Sequence, residues 1–153
     1  MKILVSACLA GENCKYNGGN NLNEKVLQLM KEHEVVTICP EVMGGLPTPR
    51  VPAEVVMMPK QMKDDQVDDR YVEVVMTKDG RSVDAEFRRG AELALEVAMK
   101  EKPDLIVLQS RSPSCGVNER YDGTFAGKRI RKSGVTAQLL MENGFKVIDV
   151  EDL

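Results

Sequence analysis

The sequence predicts an α/β protein whose doubly wound, mostly parallel, Rossmann-like sheet carries helices on both faces. Short and almost continuous apolar runs, typical of strands buried on both faces, alternate with longer amphipathic segments typical of helices. Of its 153 residues, 42% are hydrophobic and 29% charged, which suffices to bury one full core. We therefore expect a single α/β domain over residues 1–153.

The first elements of this pattern are a strand, a helix and a second strand. The run Lys2–Ala7 is almost continuously apolar and predicts the first strand. Asn21 or Asn23 can cap a helix that runs to about His33. The second strand is predicted over Val35–Ile38.

The middle of the chain departs from simple strand and helix alternation. Residues Cys39–Arg50 contain three prolines and two glycines, which predicts a stiff, irregular loop. Val55–Met58 and Val72–Thr77 predict a small hairpin-like excursion. The charged segment 60–70 between them is predicted to be the most mobile part of the chain.

The last third returns to the alternating pattern after a turn at Lys78–Arg81. The predicted elements are a helix over Asp84–Lys102 stopped by Pro103, a strand over Leu105–Leu108, a helix over Gly134–Asn143 closed by Gly144, and a strand over Phe145–Val150.

Composition excludes several classes of function. The net charge of -3 gives no overall attraction to nucleic acid or to an anionic membrane. Aromatic residues make up 4% of the chain and Trp is absent, so base-stacking platforms are hard to build. The N-terminal apolar run is too short for a membrane span and has no cleavage region of a signal peptide. We expect a cytoplasmic protein, in which cysteines are more often metal ligands or catalytic groups than disulfides.

Three of the four cysteines follow directly on predicted strands. Cys8 ends the first apolar run, Cys39 ends the second, and Cys115 lies on the Ser-Pro-Ser-Cys-Gly loop after the third. The carboxyl ends of parallel strands form one edge of an open sheet, where ligands bind. The sequence therefore predicts that these thiols converge on a metal or cluster site.

Other roles for the cysteines stay open at this point. Each can be a small buried hydrophobic residue, and two of them can form a disulfide. Thiolate ligands suit zinc, copper(I) or an iron–sulfur cluster. Three thiolates leave one position open, as in an active site, whereas Cys14 as a fourth ligand would close it. Cys14 lies in a Gly- and Asn-rich loop away from a strand end, so we do not predict it as a ligand.

Polar residues beside these cysteines are candidates for proton transfer. Glu41 follows Cys39 by two residues and can act as a general base next to the site. Ser112 and Ser114 flank Pro113 just before Cys115. A Ser-His-Asp hydrolase is disfavoured, because the chain has one His and no Gly-x-Ser-x-Gly motif.

Several motifs recur together, and in this order, in one known family. They are Ser6-Ala7-Cys8-Leu9, Lys15-Tyr16-Asn17-Gly18, Cys39-Pro40-Glu41, Gly44-Gly45-Leu46-Pro47-Thr48-Pro49-Arg50, Ser112-Pro113-Ser114-Cys115-Gly116, Tyr121-Asp122-Gly123-Thr124-Phe125 and Gly134-Val135-Thr136-Ala137. By these motifs the chain resembles the thiouracil desulfidase family in its short, single-domain form.

The resemblance implies a cofactor and a reaction. Desulfidases of this family carry a [4Fe-4S] cluster on three cysteines, which the resemblance places at Cys8, Cys39 and Cys115, with one iron site open. The implied reaction is a non-redox desulfuration of 2-thiouracil or a related thiobase, which releases hydrosulfide. Glu41, which activates water, and Ser112 are the implied catalytic residues.

The resemblance also bears on binding and on partners. Ser114, Tyr16 and Arg50 are expected to contact the substrate, a small thiolated heterocycle. We expect no nucleic-acid or membrane partner, and either a monomer or a homodimer. Two alternatives stay open. One is a sulfur-handling enzyme for a thionucleoside or RNA base, which would be favoured if the basic run 128–132 lined the site. The other is a zinc- or cluster-binding sensor whose site is closed by Cys14 as a fourth ligand.

Overall fold

A four-stranded, fully parallel sheet forms the centre of the fold, with the strands Glu34–Ile38, Lys2–Ser6, Leu105–Leu108 and Val147–Asp149 side by side in that order. The computed structural model describes residues 1–59 and 71–153, so the mobility predicted for segment 60–70 lies outside the described residues. The strands are β1 Lys2–Ser6, β2 Glu34–Ile38, β3 Ala53–Pro59, β4 Tyr71–Thr77, β5 Leu105–Leu108, β6 Arg120–Tyr121, β7 Arg129–Ile130 and β8 Val147–Asp149. The helices are α1 Glu24–Glu32, α2 Pro40–Met43, α3 Asp84–Glu101 and α4 Val135–Glu142, and two 3-10 helices span Ala7–Ala10 and Val150–Asp152.

Helices cover both faces of this sheet, as the sequence predicts. On one face Ile3 and Val5 of β1 pack against Val26 of α1. On the other face Leu4 packs with Ala94 of α3, and Leu140 of α4 belongs to the same cluster. Because alternate residues of β1 enter two different cores, a continuous apolar run is what this strand requires. The doubly wound prediction is confirmed.

The direction of winding reverses between β1 and β5. The chain passes from β1 to its neighbour β2 through α1, and then returns to pair β5 on the other side of β1. A crevice forms outside the carboxyl ends of the strands at such a reversal. The cysteine-bearing loops leave the sheet at this edge.

The helix after the first loop begins where its capping residue predicts. The Asn23 side chain accepts hydrogen bonds from the main-chain N–H groups of Lys25, at 2.9 Å, and Val26, at 3.2 Å. These bonds satisfy two of the amide donors that a helix N-terminus leaves free. Leu22 precedes the helix and is exposed, so the buried stripe of α1 is narrower than the apolar pattern suggests.

The loop predicted over Cys39–Arg50 contains a short helix, α2, that the sequence pattern does not reveal. Pro40 occupies its first turn, where a missing N–H costs nothing. Glycines let α2 approach α3 closely: a Cβ built on Gly44 would lie 1.9 Å from the main-chain oxygen of Glu86, and one on Gly90 would lie 1.9 Å from that of Pro40. This backbone contact fixes the start of α2, and with it Cys39 and Glu41.

The predicted excursion is an antiparallel hairpin of β3 and β4. Val55 and Val75 on this hairpin pack against Phe87 of α3, which attaches the hairpin to the main core. A second hairpin, β6 with β7, lies between β5 and α4, where the sequence analysis predicts no strand. Its strands have two residues each, too short to show a periodic pattern.

None of the described helices is long and apolar enough to cross a bilayer.

Candidate active site

The structure places Cys8, Cys39 and Cys115 on one cleft at the carboxyl edge of the parallel sheet. The cleft has a volume of about 970 Å³ and is also lined by Cys14 and Glu41. All four thiols are free. The three strand ends that the sequence marks with cysteine therefore face the same space.

Cys8 lies in the 3-10 helix that directly continues β1. The Asn21 side-chain amide donates to its sulfur, with an Nδ2–Sγ distance of 3.5 Å. Burial raises the pKa of the Cys8 thiol, and the neighbouring Cys39 and Glu41 raise it further against the effect of the Asn21 hydrogen bond. The glycine- and asparagine-rich loop thus folds back over Cys8.

Cys14 lies in that loop and reaches the same cleft, a position that its sequence context does not reveal. The Cys39 thiol contacts the main-chain oxygen of Cys14 at 3.9 Å. Burial and the nearby Cys39 thiol raise the pKa of Cys14 to about 12. Tertiary contacts produce this placement of Cys14. Main-chain hydrogen bonds, such as the one that Asn21 N donates to Cys8 O, bring the loop back to the end of β1.

Cys115 is held by the N-terminus of α4. The main-chain oxygen of Pro113 accepts from Val135 N at 2.9 Å, and that of Ser114 accepts from Thr136 N at 2.8 Å and Ala137 N at 3.0 Å. The loop carbonyls therefore satisfy amide donors that the helix end leaves free. The Cys115 thiol is buried, and burial raises its pKa to about 12.

Ser112, Ser114 and Glu41 form one hydrogen-bonded chain beside Cys115. The Ser114 hydroxyl donates to Glu41 Oε1 at 3.1 Å, and the two serine hydroxyl oxygens lie 2.9 Å apart. Ser112 Oγ also accepts the main-chain N–H groups of Ser114 at 3.2 Å and Cys115 at 3.1 Å. Ser114 Oγ also lies 3.5 Å from the Cys115 sulfur. While Ser114 donates its one proton to Glu41, the hydrogen bond between the two serines is donated by Ser112.

Arg50 and Tyr16 also line the cleft. The Arg50 guanidinium forms an ion pair with Glu41, and the Arg50 main-chain N–H donates to the main-chain oxygen of Tyr16 at 2.7 Å. The Tyr16 side chain is exposed and lines the cleft, with Lys15 Nζ 5.8 Å from its ring centre. The structure thus brings all eight predicted site residues to one cleft, and residues 128–132 are not among those that line it.

The set of donor atoms fits an iron–sulfur cluster better than a single ion. The residues that line the described cleft include four cysteines and no histidine. In the part of the chain that the structure describes, no three His, Cys, Asp or Glu side chains converge closely enough to hold one metal ion. A cluster binds its cysteines through different irons and so requires thiols spread around a larger body, whereas a structural zinc needs its ligands at one point.

The fold and the cleft together define a class: an α/β protein with free thiols, a carboxylate and hydroxyl groups at the open edge of its sheet. A family model described as 2-thiouracil desulfurase matches residues 3–152. The chain belongs to this family, and the resemblance given by its sequence motifs is confirmed.

Two similar proteins extend this comparison. The uncharacterized protein YbbK of Bacillus subtilis (strain 168) is 40% identical over 151 residues, which cover 99% of this chain and 97% of YbbK. A solved structure of TudS, named as a [4Fe-4S]-dependent thiouracil desulfidase, is similar with a TM-score of 0.82 and 38% identity, over 99% of this chain and 92% of TudS. The family is one of enzymes, and the α/β fold is shared with TudS.

Proposed function

We propose that this protein is a [4Fe-4S]-dependent desulfidase that replaces the sulfur of a thio-substituted heterocycle, such as 2-thiouracil, by oxygen from water. The atoms balance as a hydrolysis: the C=S carbon gains an oxygen, and the sulfur leaves as hydrosulfide. The observation that carries the proposal is the meeting of three strand-end thiols with the Glu41–Ser114–Ser112 chain on one cleft. The partner in this proposal is a small molecule.

Cys8, Cys39 and Cys115 would hold the cluster. When bound, the cluster supplies an iron without a protein ligand, a Lewis acid suited to a thiocarbonyl sulfur. Metal binding requires the thiolate form, and burial holds the pKa of Cys8 and Cys115 above the ordinary thiol value. Loading the site therefore releases protons, and it becomes more favourable as pH rises.

The protein's own groups supply the proton transfers. Glu41 is the proposed base that takes a proton from the attacking water, and its Oε1 faces the serine pair. Ser112 donates into Ser114, so the two hydroxyls can carry a proton between Glu41 and the substrate. Ser114 is buried, whereas Glu41 and Ser112 are half-buried on the wall of the cleft. Ser114 and Tyr16 are the proposed substrate contacts.

The test is the iron and acid-labile sulfide content after anaerobic reconstitution, together with 2-thiouracil turnover. We expect about four irons and four sulfides per chain, as for a [4Fe-4S] cluster. Cys8→Ser, Cys39→Ser and Cys115→Ser should lose them, whereas Cys14→Ser should keep them. Glu41→Gln and Ser112→Ala should keep the iron but lose turnover. A wild-type protein without iron, or one with a full cluster and no hydrosulfide release, would contradict the proposal.

One observation favours a second candidate, a closed sensor site. Cys14 lies on the cleft beside Cys39, where a fourth thiolate would leave no open position for substrate. The same experiment separates the two functions. Loss of iron in Cys14→Ser to the same degree as in the other three variants would favour the sensor.

A further inference from the structure

The Arg50 guanidinium is buried and fully engaged within the protein. Its side chain is 8% exposed, against 14% for its partner Glu41. Nε donates to Glu41 Oε2 at 2.9 Å, and Nη2 donates to the same oxygen. Nη2 also donates to the main-chain oxygen of Cys14 at 2.9 Å, and Nη1 donates at 3.2 Å to both Pro47 O and Thr48 Oγ1.

These contacts account for every donor that Arg50 has. A guanidinium carries five N–H groups: one on Nε, two on Nη1 and two on Nη2. Glu41 takes two of them, and Cys14, Pro47 and Thr48 take one each. No N–H group is left to hydrogen-bond a substrate in the cleft. A substrate contact by Arg50 would therefore require one of these protein contacts to break.

The same contacts decide which oxygen of Glu41 is available. Arg50 holds Oε2 from two nitrogens, which fixes both the position and the rotation of the carboxylate. The other oxygen, Oε1, is then turned towards Ser114, whose hydroxyl donates to it. Without Arg50, rotation of the carboxylate would exchange the two oxygens, and the link to the serine pair would be intermittent.

We infer that Arg50 is a positioning residue, which acts on the reaction only through Glu41 and does not bind the substrate. The inference deepens the proposed desulfidase function and rests on it for its kinetic readout. Arg50 joins α2, which carries Glu41, to the loop that contains Cys14 and Tyr16. It thereby fixes the carboxylate relative to the wall of the cleft. A Lys at this position has no planar guanidinium group and can hold Oε2 through a single nitrogen only.

The test compares Arg50→Met, Arg50→Lys and the double variant Arg50→Met/Glu41→Gln, with Arg88→Met as the matched control. Arg88 also pairs with a carboxylate, that of Asp84, but this pair lies on α3 and neither residue lines the cleft. The kcat and KM for 2-thiouracil and the iron content are measured for each enzyme after cluster reconstitution. The affinity for 2-thiouracil is measured in the Glu41→Gln background, with and without Arg50→Met. The double variant also removes the unpaired buried charge that could prevent Arg50→Met from folding.

We expect Arg50→Met to lower kcat by roughly 10²-fold with KM changed less than about threefold, because misplacing a catalytic group slows the reaction without weakening binding. Arg50→Lys should recover part of the loss, and Arg88→Met should behave as wild type. Iron content should stay at the wild-type level. In the Glu41→Gln background, Arg50→Met should leave the affinity for 2-thiouracil unchanged.

Other outcomes would overturn the inference. An unchanged kcat means that positioning by Arg50 is not needed. A tenfold loss of affinity in the double variant, relative to Glu41→Gln, means that Arg50 contacts the substrate. Loss of iron in Arg50→Met means that Arg50 acts on the thiols instead.

Failure of the proposed function is separable from failure of this inference. If the loaded wild-type protein releases no hydrosulfide from 2-thiouracil, the function is contradicted and the kinetic comparison is void. The crystal structure of Arg50→Met, or of Arg50→Lys if the Met variant does not fold, then decides the inference. A displaced Glu41 carboxylate supports positioning by Arg50, and an unmoved one that keeps its contact with Ser114 refutes it.

Discussion

At the scale of single residues, the ion pair between Arg120 and Glu73 ties the small hairpin to the larger one. Arg120 is 3% exposed and Glu73 29% exposed, and Arg120 Nη2 lies 2.7 Å from Glu73 Oε1. Arg120 also donates to the main-chain oxygen of Ser133 at 2.9 Å. The hydrogen bond and the charge of Arg120 hold the pKa of Glu73 below its usual value of 4.5, with Lys132 and Arg88 contributing.

This pair predicts an acid-sensitive part of the stability. A carboxylate with a lowered pKa in the folded state stabilises the protein fully above its unfolded pKa, near 4.5, and the contribution is lost as pH falls through the folded pKa. We expect Glu73→Gln to lower the free energy of unfolding by about 2 kcal/mol at pH 7, because it leaves a buried guanidinium unpaired. The difference from wild type should shrink below pH 4.

Urea unfolding at pH 7 and at the lowest pH at which the wild type still folds checks this prediction, because the contribution is lost only as pH falls through the lowered pKa of Glu73. Glu92→Gln, on the exposed face of α3, is the control and should change stability by less than about 0.5 kcal/mol. An equal loss at both pH values would show that Glu73 acts by packing alone.

At the scale of elements, the contact between α4 and the Cys115 loop depends on a missing side chain. A Cβ on Gly134 would lie 2.6 Å from the main-chain carbon and oxygen of Ser114. The backbone of Gly134 has φ -71° and ψ 169°, which any residue can adopt. Glycine is therefore needed at this position because a side chain would not fit. The missing side chain allows the Cys115 loop to lie directly on the end of α4.

Gly134→Ala should push the Cys115 loop away from α4. We expect a loss of about 1–3 kcal/mol in the free energy of unfolding, as for other overpacked positions. We also expect a lower iron content after reconstitution, because Cys115 moves with the loop. Gln138→Ala, on the exposed side of the same helix, should change neither quantity. Iron content at the wild-type level together with reduced stability would mean that Cys115 tolerates the movement.

At the scale of the whole molecule, the thiols connect parts of the chain that are distant in sequence. Cys8 follows β1, Cys39 follows β2, and Cys115 follows β5, at the point where the winding of the sheet reverses. A group bound by all three cysteines would connect the centre of the sheet to α2 and to the Cys115 loop, which packs on the N-terminus of α4. Binding to the folded state alone raises the free energy of unfolding.

Cluster binding should therefore raise the unfolding temperature. If binding adds about 3 kcal/mol, a protein of this size should gain on the order of 10 °C. Anaerobic calorimetry of the protein before and after reconstitution measures this. Cys8→Ser, Cys39→Ser and Cys115→Ser should each abolish the gain, with Cys14→Ser as the variant that keeps it. Equal unfolding temperatures with and without iron would contradict a cluster that links the three segments.

The sequence alone determined the fold class, the order of the main elements and the cysteine positions at the strand ends. Leu105–Leu108 was predicted with the bounds that the structure has, because a strand buried on both faces needs an unbroken apolar run. The same rule marked Cys8 and Cys39, which stand where apolar runs stop. These features depend on local residue patterns, which can be recognised in the sequence without the structure.

Only the tertiary structure decided which side chains meet. It revealed α2, the β6–β7 hairpin, the place of Cys14 on the cleft, and the use of every Arg50 donor within the protein. Arg50 contacts an oxygen 36 positions away in sequence, and no local pattern encodes such a contact. Short elements and long-range hydrogen bonds are fixed by close packing, such as that of Gly44 against α3, and packing exists only once the chain has folded.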